Sequence, residues 1–192
     1  RDWRVYTHKA SFRGDFASAI CQSIGIGEKP INFTSFFSRD GAIAVEAACR
    51  ILDHPIRPLS KTLLKRFPNQ ISSELILQNK ILELNKINLI DDSSQNIRAA
   101  VNNAKLAGVN DSMKYIHSPL DEIDTKIARG TVDFVIVQMT SKDERRINEI
   151  LKQVRLMLVS KEGIALFITR VGFEISSDSH LSLLWHKLIP RG

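Results

Sequence analysis

The run Val132-Asp133-Phe134-Val135-Ile136-Val137 is almost unbroken in apolar side chains, and 163–169 is a second run of the same kind. A strand that is apolar on both sides must be covered on both faces, as a central parallel strand is. Between the two runs, Ile147, Ile150, Leu151, Val154 and Leu158 recur at spacings of three and four, which predicts a helix over 141–158. Upstream the same alternation is present. Residues 30–34 and 86–90 read as strands, and 41–52 as an Ala-rich helix burying Ala42, Val45, Ala48, Cys49 and Leu52. A helix capped by Ser93 or Ser94 carries Ile97, Ala100, Val101, Ala104 and Ala107 on one face and stops at Gly108. Residues 112–117 read as a strand and 119–129 as a short helix. Strand and helix thus alternate at least four times. That alternation predicts an α/β chain, a doubly wound, mostly parallel sheet with helices on both faces.

A short lead-in precedes this core. Trp3, Val5 and Tyr6 read as extended, and Phe12, Phe16, Ala19, Ile20 and Ile24 then share one helical face that ends at Gly25 and Gly27. Residues 1–28 are expected to pack on a single unit formed by 29–192. Two further helices are expected over 59–67 and 72–82, and a last antiparallel strand over 188–192.

The 192 residues suffice for one such domain. No stretch approaches the ~18 apolar residues of a membrane span. The opening Arg1-Asp2-Trp3-Arg4 lacks both an initiating Met and the apolar segment of a signal peptide, so the chain is expected to be part of a longer cytoplasmic protein. Cys21 and Cys49 sit in apolar surroundings and read as reduced core thiols. His8, His54, His117, His180 and His186 lack ligand spacing, so no metal is expected. Trp3 and Trp185 read as packing anchors.

Positive charge is uneven. Lys and Arg number 27 against 21 Asp and Glu, and residues 1–68 alone hold 11 basic and 6 acidic side chains. Arg50, Arg57, Lys61, Lys65 and Arg66 form the densest cluster. It reads either as a phosphate-neutralising surface or as a solvated face whose long stems cover apolar neighbours.

In an open parallel sheet, ligands bind beyond the carboxyl ends of the strands. The first strand-to-helix turn is Ser35-Phe36-Phe37-Ser38-Arg39-Asp40-Gly41, with one glycine. The dinucleotide fingerprint needs more, so nicotinamide and flavin enzymes are excluded. The second strand ends at Asp91, whose carboxylate can accept from both hydroxyls of a ribose. Its neighbour Asp92 is expected to point the other way, and both can equally serve as turn formers at the next helix's amino end.

Several short segments resemble one family, the Rossmann-like, S-adenosylmethionine-dependent RNA methylases that accompany a THUMP domain. Tyr6-Thr7-His8-Lys9-Ala10-Ser11-Phe12 resembles the family's lead-in "His-x-Ala-x-Leu". Gly41-Ala42-Ile43-Ala44-Val45-Glu46-Ala47-Ala48 resembles "Gly-Thr-x-x-Ile-Glu-Ala-Ala", the end of its first cofactor motif. Asn103-Ala104 with Ala107-Gly108 resembles "Asn-Ala-x-x-Ala-Gly", and 133–137 resembles the strand before the catalytic motif. The resemblance implies S-adenosylmethionine as cofactor, held by Ser35, Gly41, Asp91 and Leu120. It implies Gln138 as the group that positions a guanosine amine of transfer or ribosomal RNA. It also implies an RNA-binding portion ahead of residue 1, with Arg39, Arg57, Lys61, Lys65 and Arg66 on the RNA.

The departures are specific. Ser35 stands at the motif's acid, Phe36 at its proline, Ser38 at its cysteine and Arg39 at its first glycine. The adenine-contacting acid falls on Pro119, with Asp121 nearby. The catalytic "Asn-Pro-Pro-Tyr" becomes Gln138-Met139-Thr140-Ser141, without the aromatic that stacks on the base. Three readings follow: a methyltransferase with a diverged site, an RNA-binding or scaffold module that keeps the fold without catalysis, and an unrelated doubly wound phosphate or nucleotide binder.

Overall fold

The computed structural model describes residues 3–26, 31–52, 86–160, 162–169 and 181–182. Among these, the elements run α1 (Gly14–Ser23), β1 (Asn32–Phe36), α2 (Ala42–Ile51), β2 (Lys86–Asp91), α3 (Ser94–Ala107), β3 (Met113–His117), α4 (Ile123–Lys126), β4 (Phe134–Met139), α5 (Glu144–Met157) and β5 (Ile164–Thr169). The five strands form one sheet in the order β3-β2-β1-β4-β5, and every pairing is parallel. The chain winds outward from β1 on one side and returns to start again at β4 on the other. The reversal leaves a crevice between the carboxyl ends of β1 and β4, where adjacent crossovers leave in opposite directions.

Strand periodicity sorts the core into two layers. Phe33, Ile87, Leu89, Phe134 and Ile136 belong to a cluster with Ala17, Ile20 and Cys21 of α1, Ala44, Val45 and Ala48 of α2, and Ala100 and Ala104 of α3. Phe36, Ile90, Val135, Val137 and Met139 belong to a second cluster with Ile147, Ile150, Leu151, Val154 and Met157 of α5. Adjacent residues of one strand therefore feed opposite layers, and β4 is covered on both faces as its apolar run requires; β5 lies at the edge of the described sheet, with Ile164 exposed and 165–169 half-buried, so the second run is not that of a central strand.

Local signals set the boundaries. The Ser93 side chain accepts from the backbone N–H of Asn96 and starts α3, and Gly108 at φ 75 ends it. Asp143 accepts from the N–H of Arg145 at 3.0 Å, so α5 begins at Glu144 rather than at 141. The strand expected over 30–34 is β1, beginning and ending two residues later. The short helix expected over 119–129 is a 3₁₀ turn at Leu120–Glu122 followed by the single turn of α4.

The lead-in is not extended. Residues 3–13 turn back over the loop that follows β1, held by side chains and not by a strand partner. Trp3 is buried, while Val5 and Tyr6 face solvent. Cys21 and Cys49 are both buried thiols. The expected helices over 59–67 and 72–82, the terminal strand, Trp185, His54, His180, His186 and the cluster Arg57, Lys61, Lys65 and Arg66 all lie outside the described residues.

Candidate functional site

The loop between β1 and α2 has an unusual backbone. Phe37 and Arg39 both hold φ 54, and Gly41 follows at φ 78. A bulky side chain in the left-handed region is a true outlier and persists only where its surroundings over-determine it. Here the surroundings do so. The Arg39 N–H donates to Asp91 Oδ2 at 2.9 Å, and the Gly41 N–H donates to the Ser38 carbonyl at 2.8 Å. Ser35 Oγ and Ser38 Oγ share a hydrogen bond of 2.8 Å beneath the loop, with both residues fully buried. The chain thus keeps a glycine-like loop shape without the glycines.

Asp91 is where the sequence places it, at the tip of β2, and it is already well occupied. Besides Arg39, its carboxylate accepts from the Ser93 N–H at 3.0 Å and from Asn96 Nδ2 at 2.8 Å. Burial pushes the Asp91 carboxyl above the ordinary aspartate value of 3.8, against these three bonds, and the charge of Asp92 adds to the rise. A carboxylate offers about four acceptor positions, so capacity for a further donor remains.

Asp92 does not point away from this site. It lines the same crevice as Asp91 and holds Arg146 Nη2 of α5 at 2.7 Å. The turn after the strand tip rotates the chain, so strand alternation no longer applies to this residue.

The crevice has a volume of about 220 Å³, and its walls include Phe37, Arg39, Asp91, Gln138, Thr140 and Arg146. Gln138, near the end of β4, is 2% exposed, and neither its amide oxygen nor its amide nitrogen has a hydrogen-bond partner among the described residues. An unpaired buried polar group costs about 1–3 kcal/mol. A side chain that carries such a cost on a crevice wall is shaped for something other than stability. Arg39 bridges the crevice by donating from Nη2 to Thr140 Oγ1 at 2.9 Å.

Behind the loop, Asp40 is fully buried and ties down the lead-in. Its carboxylate accepts from Arg4 Nε and Nη2 at 3.1 and 2.9 Å, from the His8 N–H at 3.2 Å, from Ser11 Oγ, and from the Ala42 N–H at 3.3 Å. Asn103 of α3 completes the clamp. Its Nδ2 donates to the carbonyls of Tyr6 and Asp40, and its Oδ1 accepts from the Tyr6 N–H.

Of the residues proposed from sequence, Arg39, Asp91 and Gln138 come together on the crevice. Ser35 lies beneath the loop. Gly41 faces Ala100 and Leu89 and serves helix packing. Leu120 packs against the second core cluster and is not a crevice wall. Sequence reasoning missed Phe37, Asp92, Thr140 and Arg146 as walls and Asp40 as the anchor. The left-handed loop could not be read from residues that rarely adopt it, and Asp40 finds Arg4, His8 and Ser11 across 29–36 positions.

The architecture is the Rossmann-like fold of the class I S-adenosylmethionine-dependent methyltransferases. TrmN from Thermus thermophilus matches with a TM-score of 0.59 at 12% identity, over 88% of this chain and 42% of its own. SMU.472, assigned as a methyltransferase and complexed with SAH, matches at 0.58 and 18% identity, over 92% of this chain and 48% of its own. A predicted N6-adenine-specific DNA methylase from Listeria monocytogenes matches at 0.52 and 14% identity, over 79% and 42%. The chain spans 36% to 54% of the length of the first solved structures it matches. No protein-family model and no curated protein matches it. Among the described residues, no helix is long and apolar enough to cross a membrane.

Proposed function

We propose that this chain is an S-adenosylmethionine-dependent methyltransferase domain acting on an exocyclic amine of RNA, the guanosine amine of transfer or ribosomal RNA implied by the resemblance. The observation that carries the reading is Gln138, a buried amide on the crevice at the end of β4 with no hydrogen-bond partner among the described residues. Once a shift of the crevice wall uncovers it, its carbonyl would accept an amine N–H and so aim the nitrogen lone pair, and orientation of this kind carries several kcal/mol of a barrier. A DNA methylase among the matched structures supports a nucleic-acid substrate.

The residues present fit the cofactor at named points. Asp91, with one acceptor position left, would hold one ribose hydroxyl, and the left-handed turn at Phe37–Gly41 would lie against the cofactor. The crevice is smaller than the ~300–1,000 Å³ of small-molecule sites. Releasing the exposed Arg39–Thr140 hydrogen bond is the step that widens it. S-adenosylmethionine, when bound, supplies a methyl group already activated on a sulfonium. What remains for the protein is to bind, to orient the amine and to exclude water.

Calorimetric titration with S-adenosylmethionine tests the reading. The expected affinity is near micromolar, about 8 kcal/mol. Absence of heat at millimolar cofactor would leave a methyltransferase fold without its chemistry. The ribose hydroxyl is a donor and needs the Asp91 anion. Because burial raises the Asp91 pKa, binding is expected to tighten as pH rises through that raised value, and Asp91→Asn abolishes this dependence. The sign for folding is opposite. Asp91's contribution to stability is fully present below 3.8 and is lost as pH rises through its folded value.

Gln138→Leu separates function from stability. Removing the unpaired amide is expected to raise stability by about 1–3 kcal/mol in urea unfolding while methyl transfer falls at least tenfold. A loss of stability would show that the amide is satisfied and not held for an acceptor.

A further inference from the structure

The sequence lacks the aromatic that should follow Gln138 to stack on a base, and the crevice supplies a ring from another strand. Phe37, directly after β1, lines the crevice with Gln138. Its backbone is held at φ 54, a conformation that a phenylalanine adopts only under constraint. Its ring stacks on Phe36, with centroids 4.4 Å apart and planes 24° apart, so it is held rigid from the core. The guanidinium of Arg146, a flat cation, lies over the same ring with its carbon 5.3 Å from the centroid.

We infer that Phe37 is the stacking platform for an unpaired nucleobase and that Arg146 covers it until the base arrives. The inference rests on reading the crevice as the acceptor site for RNA, and it names the part of the substrate that the crevice takes. Any base presents a π-face to an aromatic ring, so the platform itself tolerates sequence. The cover is easily displaced. The side chains of Arg146 and Asp92 are 43% and 39% exposed, so their ion pair is screened by solvent and contributes little. The Phe37 ring itself is 8% exposed, so moving the half-exposed Arg146 is what opens its outer face. Gln138 lines the same crevice as the ring, and its amide, buried and without a partner among the described residues, would complement the polar edge of a base once uncovered. The freed guanidinium then faces the strand's phosphates, which Arg binds well.

The test uses fluorescently labelled five-residue ribose-phosphate strands, one carrying a single guanine among abasic units and one fully abasic, with binding followed by anisotropy. The readout is the ratio of the two affinities, which cancels the phosphate contribution. The full chain is expected to prefer the guanine strand by about 5- to 150-fold. Phe37→Leu brings the ratio to about one, Phe37→Trp keeps it, and Arg146→Ala keeps or raises it because the competing cover is gone. Urea unfolding of each variant shows that it is folded. A ratio of one in the unaltered chain, an unchanged ratio in Phe37→Leu, or a ratio lost in Arg146→Ala overturns the inference. Guanosine 5′-monophosphate binding more tightly than the guanine strand assigns the platform to a free nucleotide and overturns the RNA reading. No probe involves the cofactor. Cofactor binding with a ratio of one removes the platform and leaves the proposed function standing. A preserved ratio without cofactor heat removes the methyltransferase activity and leaves the platform.

Discussion

Asp40→Ala is expected to remove about 3–5 kcal/mol of folding stability, a large share of the ~5–15 kcal/mol that holds a domain folded. The carboxylate is fully buried, and its partner Arg4 is 15% exposed. Removing it strands the Arg4 guanidinium in a low-dielectric site and leaves the His8 N–H, the Ser11 hydroxyl and the Ala42 N–H short of an acceptor. The size of the loss comes from these abandoned groups, not from the net value of the ion pair, because the penalty for unpaired buried groups exceeds the gain from pairing them. With a urea slope of ~2 kcal/mol per molar, the midpoint falls by about 1.5–2.5 M. The lead-in should loosen first, so amide exchange at 4–11 rises before that of β1 and β4. Asp15→Ala is the control. The Arg13–Asp15 pair is open to solvent on both sides, and its loss leaves the midpoint where it was. Equal midpoints for the two variants would refute the clamp.

The clamp shows which part of the site a sequence can display. β4 and α5 were legible because their burial follows a fixed period that the chain carries locally: Val135, Val137 and Met139 alternate, and Ile147, Ile150, Leu151 and Val154 share one stripe, whereas the apolar run of β5 marked a strand but not its place at the edge of the described sheet. Asp91 was legible because an apolar run that stops in an acid marks a strand tip. Gln138 was placed only through the family resemblance, at the position of the motif's asparagine. The loop was not legible. Arg39 and Phe37 take φ 54 because of bonds from Asp91 and packing from Phe36, and neither residue type signals that conformation. Arg146 carries no sequence signal that ties it to the site, and only the fold brings it to Phe37 and Asp92. In the lead-in, Trp3, Val5 and Tyr6 imitate an extended segment, whereas the backbone there is set by Asp40 and Asn103.

In the family's motif, glycines make the left-handed turns at no steric cost. This chain makes the turns at Phe37 and Arg39 with tertiary hydrogen bonds and stacking, and Asp40 anchors the turn between Arg39 and Gly41 from behind. Loop shape and lead-in position are therefore one mechanical unit: a displacement of residues 4–11 acts on Asp40, one residue from the Arg39 that bridges the crevice.

Gly41 is the glycine of this loop that packing will not release, and Gly41→Ala is expected to destabilise the chain by about 2–5 kcal/mol. Two effects add. The backbone sits at φ 78, where a side chain is strained, and an added Cβ would lie 2.8 Å from Ala100 Cβ, 3.1 Å from Ala100 Cα and 3.3 Å from Leu89 Cδ1. Ala100 is a fully buried residue of α3, so the contact with its Cα cannot be relieved by a rotamer change, and α2 and α3 must separate. Gly130 isolates the first effect. It holds φ 65, but an added Cβ there meets nothing nearer than the Leu158 carbonyl oxygen at 4.0 Å. Gly130→Ala is therefore expected to lose only about 1–2 kcal/mol, the conformational strain alone. The excess of Gly41→Ala over Gly130→Ala measures how tightly α2 is seated on α3. Ala100→Gly added to Gly41→Ala should recover part of that excess, with a coupling of about 0.5–3 kcal/mol, because it removes the nearest contact and leaves the one to Cα. Urea unfolding of the unaltered chain, Gly41→Ala, Gly130→Ala, Ala100→Gly and the Gly41→Ala, Ala100→Gly double variant measures all of these terms. If Gly41→Ala lost no more than Gly130→Ala, the close approach of the two helices would not be a feature of the folded protein, and the crevice built on their loops would lose its support.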